Sequence, residues 1–174
     1  MARIEGAAVD SPIGRLGVFA HEGVVVFLEF EGRDVDPRET LRRRFPDSVF
    51  SDVQRPPFVE PLLRYFDGDL RAIDTLPCDP GGTPFQARVW KALRTIPVGS
   101  TWCYGELARR LGDPKAVRAV GFANGSNPIA VVIPCHRVIG SNGTLVGYGG
   151  GLERKRWLLG HEGALPPEQA DLFP

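Results

Sequence analysis

Apolar and polar positions alternate in short runs over the first thirty residues. Ala7-Ala8-Val9 leads to a turn at Ser11-Pro12-Ile13-Gly14, Leu16 to Phe19 rises from it, and Glu22-Gly23 turns into Val24 to Leu28. Runs of this length, broken by glycine and proline at hairpin spacing, predict a small antiparallel sheet. The period then changes. Asp36-Pro37 starts a helix that ends near Phe45 and carries Arg42-Arg43-Arg44, a triplet that reads as a solvated face. Phe58, Val59, Leu62, Leu63 and Phe66 recur at helical spacing and predict an amphipathic helix packed on the sheet. Leu76 to Gly82, with two prolines and two glycines, reads as a linker, which sets the domains at 1–82 and 83–174.

The second domain is patterned mostly as helix. Thr83 is placed to cap a helix that begins at Pro84 and carries Phe85, Val89, Trp90, Leu93 and Ile96 on one face. A second helix runs from Tyr104 to Leu111. Gly112-Asp113-Pro114 turns into a third, from Lys115 to about Asn124, which is rich in small residues at Ala116, Ala119, Gly121 and Ala123. The pair suggests a helix-turn-helix whose second helix approaches DNA closely while Arg118 reaches past it. Any αα-hairpin shares that pattern, and the small residues would equally serve close packing between helices.

Val131-Val132-Ile133 reads as a short buried strand stopped by Pro134, with Cys135, His136 and Arg137 directly after it. A thiol becomes a competent nucleophile as the thiolate, and a neighbouring base or positive field produces it. A lone cysteine after an apolar run is also an ordinary core residue. Adjacent side chains on a strand diverge, so His136 would act on Cys135 through a bridging water or a turned backbone. Gly140-Ser141-Asn142-Gly143 signals a tight turn. Leu145 to Gly151, with Tyr148 among glycines, reads as a loop shaped to a flat ligand rather than a dinucleotide fingerprint. Leu152 to His161 is a final helix with a basic Arg154-Lys155-Arg156 run, and the acidic tail from Leu165 is expected to be loosely held.

The chain has 174 residues and a net charge of zero, but the charge is not evenly spread. Residues 1–82 balance at −5, with ten Lys and Arg against fifteen Asp and Glu; residues 83–163 balance at +7, with eleven against four. The positive half is the one that holds Cys135, which suggests a polyanion partner for that half. Three cysteines without CxxC or Cys/His spacing argue against a disulfide framework and a structural zinc. No early segment matches a signal peptide or a membrane span, so the expectation is a cytoplasmic protein without a membrane partner.

Ile133-Pro134-Cys135-His136-Arg137-Val138 resembles the active-site motif of the O6-alkylguanine-DNA alkyltransferases. Tyr104, Arg118-Ala119-Val120-Gly121, Asn127-Pro128, Tyr148 with Gly150-Gly151, and Trp157-Leu158-Leu159 before His161-Glu162-Gly163 stand in that family's order and spacing. The resemblance implies an α+β fold: a small N-terminal antiparallel-sheet, RNase H-like domain followed by a C-terminal helical, winged helix-turn-helix-like domain. It implies a repair protein that moves the alkyl group of O6-alkylguanine in double-stranded DNA onto its own cysteine, once per molecule and without a cofactor or metal. Carried over by position, Cys135 is the acceptor, His136 the base acting through water, and Glu162 the residue that orients His136. Asn127 supports the active-site turn. Tyr104 presses on the extruded nucleotide's phosphate or hydrogen-bonds the base, and is the candidate proton donor to the departing guanine. Arg118 fills the space the nucleotide leaves, Ser141 touches the DNA backbone, and Val138 and Tyr148 line the guanine pocket. A monomer in solution is implied, while cooperative loading on DNA and activity on O4-alkylthymine stay open. The competing reading is an alkyltransferase-like protein that binds the lesion without reacting, a class that lacks the acceptor cysteine.

Overall fold

A computed structural model describes residues 1–165, and the chain divides into two compact units, Met1–Gly81 and the remainder from Gly82. In the first unit, β1 (Arg3–Ser11), β2 (Gly14–His21) and β3 (Val24–Phe30) form an antiparallel meander. Gly14 and Gly23 take the positive φ values, 119° and 79°, that the two tight turns require. A fourth strand, β4 (Val49–Asp52), adds to the outer edge of β1 in parallel, giving the order β3-β2-β1-β4. Its four residues are half polar and too short to show a period, so the sequence pattern did not reveal it.

Both faces of this sheet are covered by apolar side chains. Ile4, Phe19, Val26 and Phe27 pack with Leu41 of α1 (Pro37–Arg44), whose first turn is capped by the Asp36 carboxylate accepting from the Arg38 and Glu39 amides. Leu16, Val18, Leu28 and Phe30 are buried, as are Leu62 and Tyr65 of α2 (Glu60–Phe66), a helix that packs on β1. Strands buried on both sides explain why β3 reads as a continuous apolar run.

In the second unit, α3 (Pro84–Leu93) starts with the expected cap: Thr83 accepts from the Gln86 amide while the Gln86 side chain accepts from the Thr83 amide. α4 (Tyr104–Arg110) and α5 (Val117–Gly125) pack on each other and on α3. The Trp90 indole donates to the Ala123 carbonyl at 2.8 Å and so pins α5 onto α3. α5 begins two residues later than its sequence suggested. Asp113 accepts from the Lys115 amide within the turn, and Ala116 precedes the helix with no side-chain cap. A two-residue strand, β5 (Trp102–Cys103), pairs in parallel with β6 (Val138–Ile139), and α6 (Leu152–His161) closes the unit. The architecture is α+β, a sheet unit followed by a helical unit with a helix-turn-helix. The expectation of a loosely held tail lies, from Pro166 onward, outside the described residues. None of the described helices is long and apolar enough to cross a membrane.

Candidate functional site

The run Val131-Val132-Ile133 is buried but is not a strand; it folds as consecutive tight turns. Val131 has φ 69°, a left-handed conformation that a β-branched residue adopts only where its surroundings enforce it. Three hydrogen bonds do so here. The Asn127 carboxamide donates to the Ile133 carbonyl at 2.8 Å and accepts from the Ile129 amide at 3.0 Å, and the Ile133 amide donates to the Ile129 carbonyl at 3.1 Å. A buried apolar loop and a buried strand have the same hydropathy signature. Only the backbone hydrogen bonds separate them.

This loop delivers the chain into a single 3-10 turn, Cys135–Arg137, with all three residues buried. In such a turn successive side chains point in different directions, so His136 and Arg137 need not follow the Cys135 thiol. The Cys135 thiol is 7% exposed. His136 is fully buried and its Nε2 lies 2.8 Å from Glu162 Oε1. Arg137 forms a two-pronged pair with the same carboxylate, Nε to Oε2 and Nη2 to Oε1, both at 2.9 Å, and donates from Nη1 to the Ile96 carbonyl at 2.8 Å.

Burial alone would raise the Glu162 carboxyl. The adjoining His136 and Arg137 outweigh it and hold the group well below the ordinary carboxylate range. Glu162 is therefore ionised and already neutralised by Arg137. An ionised carboxylate only accepts, so Nε2 of His136 carries a hydrogen and Nδ1 is the ring position left to accept one. Nδ1 is buried and has no hydrogen-bond partner among the described residues. An imidazole held at Nε2 with Nδ1 unpaired is arranged to act as a base.

Two further buried polar groups meet the same loop. Lys155, read from sequence as part of a basic run, is fully buried. Its ammonium donates to the carbonyls of Val138, Val146 and Gly147 at 2.6, 2.8 and 3.4 Å, tying β6 to the glycine-rich loop. Burial brings its pKa down to about 8, with the negative charge of Cys135 acting in the opposite direction. Asn124, 4% exposed on α5, points its amide nitrogen at the Cys135 carbonyl at 3.5 Å and acts to lower the pKa of Tyr104. Helical spacing could have found Lys155, since it stands three and four residues before the buried Leu158 and Leu159. Asn124 carried no such signal.

Tyr104 opens α4, where Cys103 caps the helix through its sulfur. Its hydroxyl lies 3.5 Å from the Val146 carbonyl, and burial, followed by the charge of Cys135, raises its pKa while Asn124 lowers it. The net effect keeps the phenol protonated. Val138 is buried at the start of β6 and Tyr148 is half-buried in the loop that Lys155 holds. Arg118 is exposed on α5 and Ser141 is exposed in the turn after β6, both apart from the buried Cys135 cluster. Cys135, His136, Asn127, Glu162 and Tyr104 are thus gathered around one loop.

Two family models cover the chain: the DNA binding domain of 6-O-methylguanine DNA methyltransferase matches residues 84–164, and its ribonuclease-like domain matches residues 6–80. The methylated-DNA–protein-cysteine methyltransferase of Shigella flexneri is 48% identical over 95% of this chain and 99% of its own. That of Mycolicibacterium paratuberculosis is 46% identical over 98% and 99%. Among solved structures, Mycobacterium tuberculosis OGT in complex with DNA superposes with a TM-score of 0.79 at 42% identity, covering 98% of this chain and 99% of the other.

Proposed function

The chain belongs to the 6-O-methylguanine DNA methyltransferase family, and on that premise we propose a residue-level account of how it takes an alkyl group from O6 of guanine in duplex DNA onto Cys135. DNA is its partner and the reaction is direct repair by transfer to the protein itself. The observation that carries the assignment is the unpaired, buried Nδ1 of His136 beside Cys135, with Nε2 committed to an ionised Glu162.

The O6 substituent is unreachable while the base is stacked, so the nucleotide must leave the helix before chemistry begins. Arg118, on the exposed side of the helix-turn-helix, is the residue to occupy the space left behind. His136 Nδ1 takes the thiol proton through a water, and the Glu162–Arg137 pair stabilises the resulting imidazolium without itself changing protonation. The thiolate attacks the alkyl carbon: an S–C bond forms as the C–O6 bond breaks, and the electron pair departs with guanine. Tyr104, kept protonated by burial, supplies the proton that makes guanine a neutral leaving group. The thioether is stable, because a thiolate on an unactivated alkyl carbon is a poor leaving group toward water, so each molecule reacts once.

Asn127 serves by holding the strained loop, while Val138 and Tyr148 line the guanine pocket and Ser141 meets the DNA backbone. No cofactor enters, and the protein acts as a monomer. The lesion-binding alternative is not favoured, because the acceptor cysteine and its base are both present and the curated relatives carry the transferase name.

The test is the intact mass of the protein after incubation with a duplex carrying one O6-methylguanine. One CH₂ per molecule, mapped to Cys135, is the expected result. Cys135→Ser should gain no mass while retaining duplex binding. Lesion-selective binding by the wild-type protein with no mass gain would replace this reading with the lesion-flagging one.

A further inference from the structure

Phe122 is 77% exposed, and among the described residues it is the one aromatic side chain in the exposed class. It lies on α5, between Gly121, which faces the Tyr104 ring, and the buried Ala123. Folding has no use for a phenyl ring in that position. Fully buried aromatics dominate core energetics, and this one contributes nothing to the core of its unit.

Its neighbours along the helix say what it faces. Phe122 is four residues after Arg118 and three after Ala119, the spacing that stacks side chains on one side of a helix. Arg118, Ala119 and Phe122 are all exposed, so they form one outer ridge, and the exposed Lys115 stands in the turn just before it. Neither Lys115 nor Arg118 has an ion-pair partner among the described residues, whereas Arg109 and Arg110 on α4 are both tied to Glu106. The ridge therefore presents unneutralised cations and a bare aromatic together, a combination suited to a polyanion with stacked apolar faces inside it.

We propose that Phe122 is a second DNA-opening residue, an apolar wedge that enters the groove beside the nucleotide displaced by Arg118 and packs against the bases there. The proposal rests on the repair reading above and extends it to a further residue of the ridge. Four residues of helix advance about 6 Å, and stacked base pairs are about 3.4 Å apart, so the two side chains meet the duplex about two steps from each other. Phenylalanine between or against base steps unstacks them at a cost that added contact offsets. Arg118 supplies charge as well as bulk; Phe122 supplies only bulk and stacking. That difference gives the two residues separable signatures.

The experiment compares wild type, Phe122→Ala, Phe122→Leu and Arg118→Ala. It measures affinity for an O6-methylguanine duplex across a salt series, and alkyl transfer from that duplex and from free O6-benzylguanine. Phe122→Ala should bind the duplex roughly tenfold more weakly, the scale of losing one aromatic–base contact. Its salt dependence should match wild type, because no phosphate contact is lost, while Arg118→Ala flattens it. Transfer from the free base should stay within about twofold and the melting temperature should be unchanged, since an exposed side chain is removed. Phe122→Leu should recover part of the duplex affinity. Duplex affinity and duplex transfer equal to wild type in Phe122→Ala would overturn the wedge while leaving repair intact; a wild-type protein that fails to transfer from either substrate would overturn the repair reading itself.

Discussion

The loop around Cys135 and the outer ridge of α5 reverse the usual sorting of side chains in opposite directions. The loop buries an arginine, a lysine, a glutamate, a histidine and two asparagines, whereas the ridge exposes a phenylalanine. Inside, the charged groups are answered: Arg137 by Glu162, which also holds His136, and Lys155 by backbone carbonyls. On the ridge, Phe122 is left exposed among the described residues. The centre is organised in advance and needs only a substrate; the ridge is completed by its partner. Substitutions in the centre should therefore slow reaction with duplex and free base alike, and substitutions on the ridge should slow reaction with the duplex only.

Glu162→Gln puts the most weight on that contrast. It leaves the Arg137 guanidinium buried without its counter-charge, which costs about 3–5 kcal/mol of stability. It also removes the group that fixes the His136 tautomer, so transfer from both substrates should fall at least about 100-fold. The pH dependence has a definite sign. A carboxyl held low in the folded protein stabilises it fully above its ordinary value of 4.5, and that stability is lost as pH falls below it toward the folded value. Acid unfolding followed by circular dichroism should show a shallower loss in Glu162→Gln than in wild type. A variant that slowed duplex repair alone would dissolve the distinction between centre and ridge.

Lys155→Met sharpens the same contrast with a smaller effect. Removing the ammonium leaves the Val138, Val146 and Gly147 carbonyls without their common donor, at about 1–3 kcal/mol for buried acceptors. The loop carrying Tyr148 loosens, and both substrates should react roughly tenfold more slowly. Here linkage runs the other way. The folded pKa of about 8 lies below the unfolded 10.5, so the unfolded chain binds more protons between them, and the lysine's contribution to stability rises with pH across that window. The difference between wild-type and Lys155→Met stability should therefore shift in favour of wild type from pH 8 to 10.5.

What the sequence made legible follows the range of the interactions involved. Local signals were readable: the Asp36 and Thr83 caps, the turns at Gly14 and Gly23, and the helical periods of α3 and α6. The order of the motif residues identified Cys135, His136, Glu162, Asn127 and Tyr104 through resemblance. Hydropathy did not separate the turns at 131–133 from a strand, because burial is common to both and the distinguishing hydrogen bonds come from Asn127. The parallel pairing of β4 with β1 joins residues 46 positions apart, as Arg3 with Val49, and has no local trace. Arg137 looked like a source of field and is the partner of Glu162; Lys155 read only as basic because two basic neighbours masked its place on the buried face of α6.

The first unit supplies the smallest expected effect. Arg42-Arg43-Arg44 resembles Arg154-Lys155-Arg156 as a string of cations, yet its members are spent within their own unit. Arg43 pairs with Glu39 one turn away, Arg44 with Asp79, and Arg42 lies over the Phe50 ring at 5.2 Å. Arg43 is 79% exposed, so its ion pair contributes only a few tenths of a kcal/mol and is screened by salt. Arg43→Ala should change stability by less than about 0.5 kcal/mol and leave duplex affinity, its salt dependence and both transfer rates at wild-type values. Because DNA contact releases counterions, a reduced salt slope in this variant would be direct evidence that the first unit also touches the phosphate backbone. The ridge of α5 would then be one of two reading surfaces, and the division between a prepared centre and a partner-completed surface would extend across both halves of the chain.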